Sequence, residues 1–432
     1  MTWKCTNTAK GDNKLYSDAR GVVPSLDLRF AAQKNLNDYM TGQNLITFSR
    51  PVGANQSPGT YVDENRIIQL SSADQPRFDH DPTTGESLGL LVEESRTNLV
   101  TYSEGFDDAS WVGNLGNQST ANATEAPDGQ NTAYYFYDTN DGIVSNAGIY
   151  RVETLSPSST YTLSCYFKKA LNDWVYLRPF SFDATANGFA WFNISNGTVG
   201  TVDNTLTAHT PQYTGNGWYR CSISFTMGSV DVSGGLQFGV VSADGTIAET
   251  LNGQLGTYVW GAQLEEGSFP TSYIPTTGTA LTRSADVASI TGSNFSSWYN
   301  QGEGTIFYNF TGTGLPYQIH DGSNSNRFGF SPSSGRFFTI INSVTSFFGI
   351  NPTVISGGGL AALGYKANDY GAYGNGTVLT GTSPTTVPPS QIELALGFRG
   401  NYQPDAFLNG TIARLTYFPE RLPDSTLQAI TQ

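Results

Sequence analysis

The sequence predicts an all-β protein: two tandem β-sandwich (jelly-roll) domains preceded by an extended N-terminal anchoring module. Three observations carry that expectation. Short aromatic and β-branched runs such as "TYTLSCYFKKA", "WVYLRPFSF" and "GWYRCSISFTM" recur along the chain, separated by Gly, Asn, Asp and Ser, the pattern of strands and tight turns. The 432 residues include 48 Gly, 23 Tyr and 25 Phe, yet only 13% are charged, against roughly 25% in ordinary globular domains. Helix-type periodicity is scarce outside two short segments near the termini, so little helix is expected. At roughly 150 residues per domain, the length suits about three units.

Residues 1–24 are polar and lack a core pattern, as in an arm that orders only against something else. Residues 25–98, from "SLDLRFAAQKNLNDY" to "EESRTNL", offer short apolar runs between Gly, Pro, Asn and Asp clusters but few large core residues. They read as a β-rich anchoring or connecting module. Within it, "PRFDHDPTTGESLGLLVEE" carries the densest polar cluster, with Asp79, Asp81 and Glu86 as a candidate calcium set. A calcium loop needs Gly at its sixth place, where Thr84 stands, so a turn with Pro fixing φ and Gly85 supplying φ > 0 is the simpler account. No cofactor is required by anything in the chain.

Residues 99–278 carry seven strand-like runs spaced as in a jelly roll. In "WVYLRPF", alternation puts Trp174, Tyr176 and Arg178 on one face and Val175 and Leu177 on the other. Aromatic rings stack on pyranose faces while Arg reaches hydroxyls, which makes these three candidate glycan-binding residues. The alternative is that the rings belong to a core or a subunit contact. Cys165 and Cys221 both lie in strand-like runs and would face each other across a sheet, either as buried apolar residues or as a bridge.

The domain closes on "WGAQLEEGSFPTSYIPTTGTALTRSADV". Glu265 and Glu266 are adjacent, so an extended chain points them to opposite faces and they cannot act as an acid/base pair. Gly267, Pro270 and Pro275 then end the strand, and the following segment is expected to lie as an ordered strap packed through Tyr273 and Ile274. In residues 279–432 the strand pattern restarts, from "GTIFYNF" to "LNGTIARLTYFPERL", as a second sandwich. It ends on "PDSTLQAI", a helical turn with Leu427 and Ile430 on one face.

Several function classes are disfavoured. The net charge of −14, with no compensating basic run, would repel a phosphate backbone, so no nucleic-acid partner is expected. No stretch of about 18 apolar residues occurs, and none of the chain is expected to insert in a membrane. No strand carries the paired carboxylates of a glycoside hydrolase, and His80, His209 and His320 lie far apart. The protein is not expected to be an enzyme.

Several long segments resemble a family of tailed-bacteriophage virion proteins. "SLDLRFA", "GQNLITFSR", "GTYVDENRIIQ" and "PRFDHDPTTGESLGLLVEESRTNLVTYSEGFDDASWV" are similar to its N-terminal module and the start of its second domain. "WGAQLEEGSFPTSYIPTTGTALTRSADVASITGSNFSSWYNQGEGTIF" resembles its passage from a carbohydrate-binding-module-like jelly roll into a C-terminal domain. "GTIARLTYFPERLPDSTLQAI" is similar to concanavalin A-like, laminin-G-type sandwiches. The resemblance implies a structural role on the virion, as a tail fibre, spike or capsid decoration, after synthesis in the bacterial cytoplasm.

With that role come expected partners: other virion proteins through the N-terminal arm, further copies of the chain in a homotrimer, and host cell-surface polysaccharide. The polysaccharide would meet Trp174, Tyr176 and Arg178, or the loops of the second sandwich around Tyr365, Asp369 and Tyr370. The rival expectations are an interface-filling virion component that binds no glycan and a polysaccharide depolymerase.

Overall fold

The computed structural model describes residue 15 and residues 21–114, 117–182, 186–230, 232–331, 336–348, 355, 357–379, 381, 384–400 and 406–432. Strands hold 48% of the chain and helices 5%, in several antiparallel sheets, so the all-β class stands.

The jelly roll packs two six-stranded sheets face to face. One runs Asn117–Thr124, Ala133–Asp138, Gly256–Glu266, Thr160–Lys169, Trp218–Thr226, Leu206–Tyr213 in spatial order. The other runs Thr198–Val202, Ala190–Asn193, Trp174–Phe180, Ser233–Val241, Ala147–Thr154, Val112–Gly113. Alternation along these strands sends Leu163, Cys165, Phe167 and Ile223 of the first sheet against Val175, Leu177, Leu236 and Phe238 of the second. Each such side chain contributes about 1.5–3 kcal/mol by leaving water. Cys165 and Cys221 are directly opposite on neighbouring strands, buried and unbridged, and their burial raises both thiols well above the usual range.

The second sandwich is not confined to the last third of the chain. Its eight-stranded sheet is built on Glu303–Thr311 and Gly410–Phe418, but Leu26–Leu28 and Ser87–Val92 both pair with Gly410–Phe418. Its seven-stranded sheet ends on Thr47–Ser49, paired with Val287–Thr291. Leu26, Leu28, Phe30, Leu90 and Val92 fill the same core as Ile306, Tyr308, Leu394 and Leu415. The segment expected to anchor or connect therefore supplies strands and core to the sandwich that follows the jelly roll. Its few large residues suffice because the later strands provide the rest.

The two chain crossings into and out of the jelly roll lie side by side. Arg96–Asn98 pairs antiparallel with Leu281–Arg283, which also pairs with Gln56–Ser57. The strap is ordered as the sequence suggests. Tyr273 and Ile274 are buried, the Tyr273 ring lies 4.6 Å from that of Trp260, and Ile274 N donates to Gln263 Oε1 at 2.8 Å. Glu265 is buried and accepts two hydrogen bonds from Thr271, while Glu266 on the opposite face is exposed.

The closing helix Asp424–Ile430 sets Leu427 and Ile430 on Phe307, Ala362 and Phe418, with Leu15 in the same cluster. Apart from Leu15 and residues 21–24, the arm of residues 1–24 lies outside the described residues.

Candidate functional site

On the outer face of the jelly roll's second sheet, register brings together residues from three strands. Arg178 is the cross-strand partner of Gln237, and Gln237 is the partner of Tyr150. The next row along the same face is Phe180 opposite Gly235. With Asn114, Ser145 and Asn146, these side chains line a groove of about 340 Å³, within the usual size range of small-ligand sites.

The groove has an aromatic floor because glycines lie opposite its rings. A methyl group at Gly235 would sit 2.2 Å from Phe180 Cε1 and Cζ, and one at Gly148 would sit 2.6 Å from Tyr176 Oη. The rings therefore lie down on the sheet where any side chain would lift them. Phe180 meets Tyr150 edge-on at 5.5 Å, and the Arg178 guanidinium sits 4.6 Å from the Phe180 centroid and 4.5 Å from that of Phe189. Cation–π contact of this kind holds the charged group against both rings. Burial pulls the Arg178 pKa below its usual range.

Polar capacity is left unused here. Arg178 Nε and Gln237 Oε1 make no hydrogen bond among the described residues, although Gln237 is only 1% exposed. Unpaired buried polar groups cost about 1–3 kcal/mol each, so a ligand that completes them recovers that cost.

The structure sorts the residues expected from sequence. Arg178 lines the groove, whereas Trp174 is half-buried over Gly200, packs with Tyr176 and Trp191 further along the strand, and is not part of the groove's lining. Tyr176 is corrected: it shares their face, but it is fully buried beneath Trp191, Phe189 and Val241 and offers no ring to solvent. Tyr365 and Tyr370 are corrected as well. They are cross-strand partners facing inward, with Tyr365 Oη bonded to Tyr417 and Tyr370 Oη donating to the Thr386 carbonyl. Alternation with exposed Lys366 and Asp369 turns both rings into the core. Asp369 is exposed and pairs with Arg421 at 3.0 Å.

The calcium set is corrected on the same grounds. Asp81 accepts the amides of Thr83 and Thr84 within its own turn, Asp79 accepts the Val62 amide, and Glu86 points to solvent. Among the described residues no group of three His, Cys, Asp or Glu side chains is placed to hold a metal.

Gln237 and Tyr150 escape a strand-by-strand reading because register, not sequence proximity, puts them beside Arg178, whereas Phe180, two residues beyond Arg178 on the same strand, follows from the same alternation. The one local signal is "GGLQFG", where glycines flank Gln237 in an otherwise strand-like run; isolated strand glycines mark close approach of another group.

Two other grooves are less suited to a ligand. One of about 880 Å³ among Lys34, Phe48, Tyr61, Asp63, Glu64, Asp74 and His80 has its carboxylates engaged: Asp63 by Ile67 and Gln69, Asp74 by Arg50 and Ser49, Glu64 by Lys34. Another, of about 540 Å³, is lined by Arg327, Arg336 and Arg399, each of which already has a partner.

No family model matches the chain, and no curated protein matches it. Among solved structures it is similar to the CBM40 of the Ruminococcus gnavus IT-sialidase bound to α2,3-sialyllactose. That match has 14% identity and a TM-score of 0.27, covering 32% of this chain and 88% of that one. Domain 4 of AbnA, a GH43 extracellular arabinanase from Geobacillus stearothermophilus in complex with arabinotriose, matches at 14% identity and a TM-score of 0.28, covering 38% and 82%. The Trypanosoma rangeli sialidase in complex with the inhibitor DANA matches at 11% identity and a TM-score of 0.26, covering 69% and 60%. These neighbours are carbohydrate-binding-module and sialidase β-sandwich domains. Likeness at these scores carries no assignment of ligand or reaction to this chain.

Proposed function

We propose that this chain is a glycan-binding structural protein of a bacteriophage virion, a tail fibre, spike or capsid decoration that meets host-surface polysaccharide through the Arg178–Gln237–Tyr150 groove. The observation that carries the binding activity is the pairing of a glycine-flattened aromatic floor with unpartnered polar atoms in one groove. A sugar ring presents one apolar face and a rim of hydroxyls, and this surface is complementary to both. The virion setting is supported by the segment resemblances described above. The N-terminal arm would meet other virion proteins, and a trimer would multiply weak contacts by effective concentration.

Holding rather than cleaving is the proposed action, since the groove's described lining supplies an arginine, amides and hydroxyls but no acid/base pair of carboxylates. Calorimetric titration of the purified protein with host surface polysaccharide tests the proposal. Binding is expected, and Arg178→Ala should weaken it about tenfold to a hundredfold, the equivalent of losing a charge-assisted hydrogen bond worth about 1.5–3 kcal/mol. Asp369→Asn, far from the groove, should change nothing. Absence of binding, survival of full affinity in Arg178→Ala, or release of new reducing ends from the polysaccharide would overturn the proposal.

A further inference from the structure

We infer that the saccharide held in this groove is acidic, with its anionic substituent seated on Arg178; this inference rests on the glycan-binding proposal above and names its ligand class. The charge bookkeeping around arginine points there. Of the buried arginines, Arg29, Arg50, Arg77, Arg96 and Arg151 each meet a carboxylate oxygen within 3 Å, Arg283 lies 3.6 Å from Glu93, and Arg220 is bonded instead to the Ser164 hydroxyl and the Thr271 carbonyl. Arg178 is half-buried and meets none among the described residues. Its ring contacts are Phe180 and Phe189, which attract a cation but leave Nε without an acceptor among the described residues.

A partly desolvated cation without a counter-charge is costly, and a carboxylate or sulfate ester is the group that matches a planar guanidinium edge. The surroundings favour the same ligand. In a chain with 36 acidic and 22 basic residues, the described lining of this groove contains no Asp or Glu, so an incoming anion meets no like charge there. Gln237 Oε1, one strand over and unpartnered, accepts rather than donates and would take a sugar hydroxyl beside the bound anion.

The test is calorimetry on the full chain with paired probes: uronate-containing oligosaccharides, the same oligosaccharides after carboxyl reduction, and their O-sulfated neutral counterparts. Uronates are expected to bind at least tenfold more tightly than the carboxyl-reduced forms, with affinity falling as salt rises. Arg178→Met, with unfolding midpoint unchanged, should erase that preference, and Arg178→Lys should retain part of it. Tighter binding of the sulfated probes alone would support the anionic class and assign its source to a sulfate ester. Equal binding of charged and neutral probes would overturn this inference while leaving glycan binding intact. No binding of any probe or of host polysaccharide would overturn both.

Discussion

Adding one methyl group at Gly235 would place it 2.2 Å from Phe180 Cε1 and Cζ, a clash with the ring's edge. The ring can swing away at modest cost because it is half-buried and its outer side is open, so Gly235→Ala is expected to fold normally while the groove loses its floor. Saccharide affinity should fall about tenfold, as for the loss of roughly 1.4 kcal/mol of stacking, with an unfolding midpoint near that of the parent. A second single-residue prediction concerns Glu104. Burial pushes its carboxyl up to about 7 although Tyr273 Oη donates to it at 2.9 Å. A carboxyl whose folded pKa lies above its ordinary 4.5 binds more protons folded than unfolded, so its contribution is full below about 4.5 and is lost as pH rises through about 7. Urea unfolding at about pH 5 and about pH 8 should show this loss in the parent, and Glu104→Gln should remove that part of it. Residues of this kind differ in how legible they are from sequence. Arg178 and Trp174 are readable because period-2 alternation within one strand is enough to set their face. Gln237, Tyr150 and the fate of Tyr176 are not, since which strand lies alongside, and what covers a ring, are decided by register and by the glycines opposite.

The strap shows how an element with almost no regular structure is held. Where it rejoins the second sandwich, Arg50 and Arg77 bond to opposite oxygens of Asp286 at 2.7 and 2.5 Å, and Arg77 also reaches Glu93 at 2.8 Å. Glu93 in turn accepts the amide and hydroxyl of Ser272 in the strap at 2.7 and 2.6 Å. Three fully buried guanidiniums, with Arg283 the third, share two carboxylates, so removing one carboxylate leaves cations uncompensated. Asp286→Asn is therefore expected to destabilise the protein by about 3–5 kcal/mol, read as a lowered urea midpoint. The same network sets an acid limit. Burial alone would raise the Glu93 carboxyl, but Arg283, Arg77 and Ser272 outweigh it and hold it at about 2, below its ordinary 4.5. Its contribution is present above about 4.5 and is lost as pH falls toward about 2, opposite in sign to that of Glu104. Pro270, Pro275 and the apolar pair Tyr273–Ile274 make the strap's extended path legible from sequence. The ion network is not, because Arg50, Arg77, Glu93 and Asp286 come from segments far apart in the chain.

At the scale of the whole molecule, the repeated strand pattern makes two sandwiches legible but not the fact that one is inserted into the other. Local periodicity says that Leu26–Leu28 and Ser87–Val92 are apolar runs; it cannot say that their partner, Gly410–Phe418, lies more than 300 residues further on. The consequence is a test of topology. Residues 279–432 alone lack Leu26, Leu28, Phe30, Leu90 and Val92 from their core and the strands that flank Gly410–Phe418. At about 2–5 kcal/mol for each large core side chain lost, the total exceeds the usual stability of about 5–15 kcal/mol, so this fragment is expected to be unfolded or aggregated. Asn98 and Leu281, by contrast, are Cα partners in register. Excising the jelly roll and joining residue 98 to residue 281 through a short Gly/Ser turn should therefore give a protein with a cooperative unfolding transition and a β-rich circular dichroism spectrum, whereas the excised residues 99–278 should keep the saccharide groove, which lies wholly within them. A joined outer sandwich that fails to fold while residues 279–432 fold alone would mean that the early strands are not part of that sandwich.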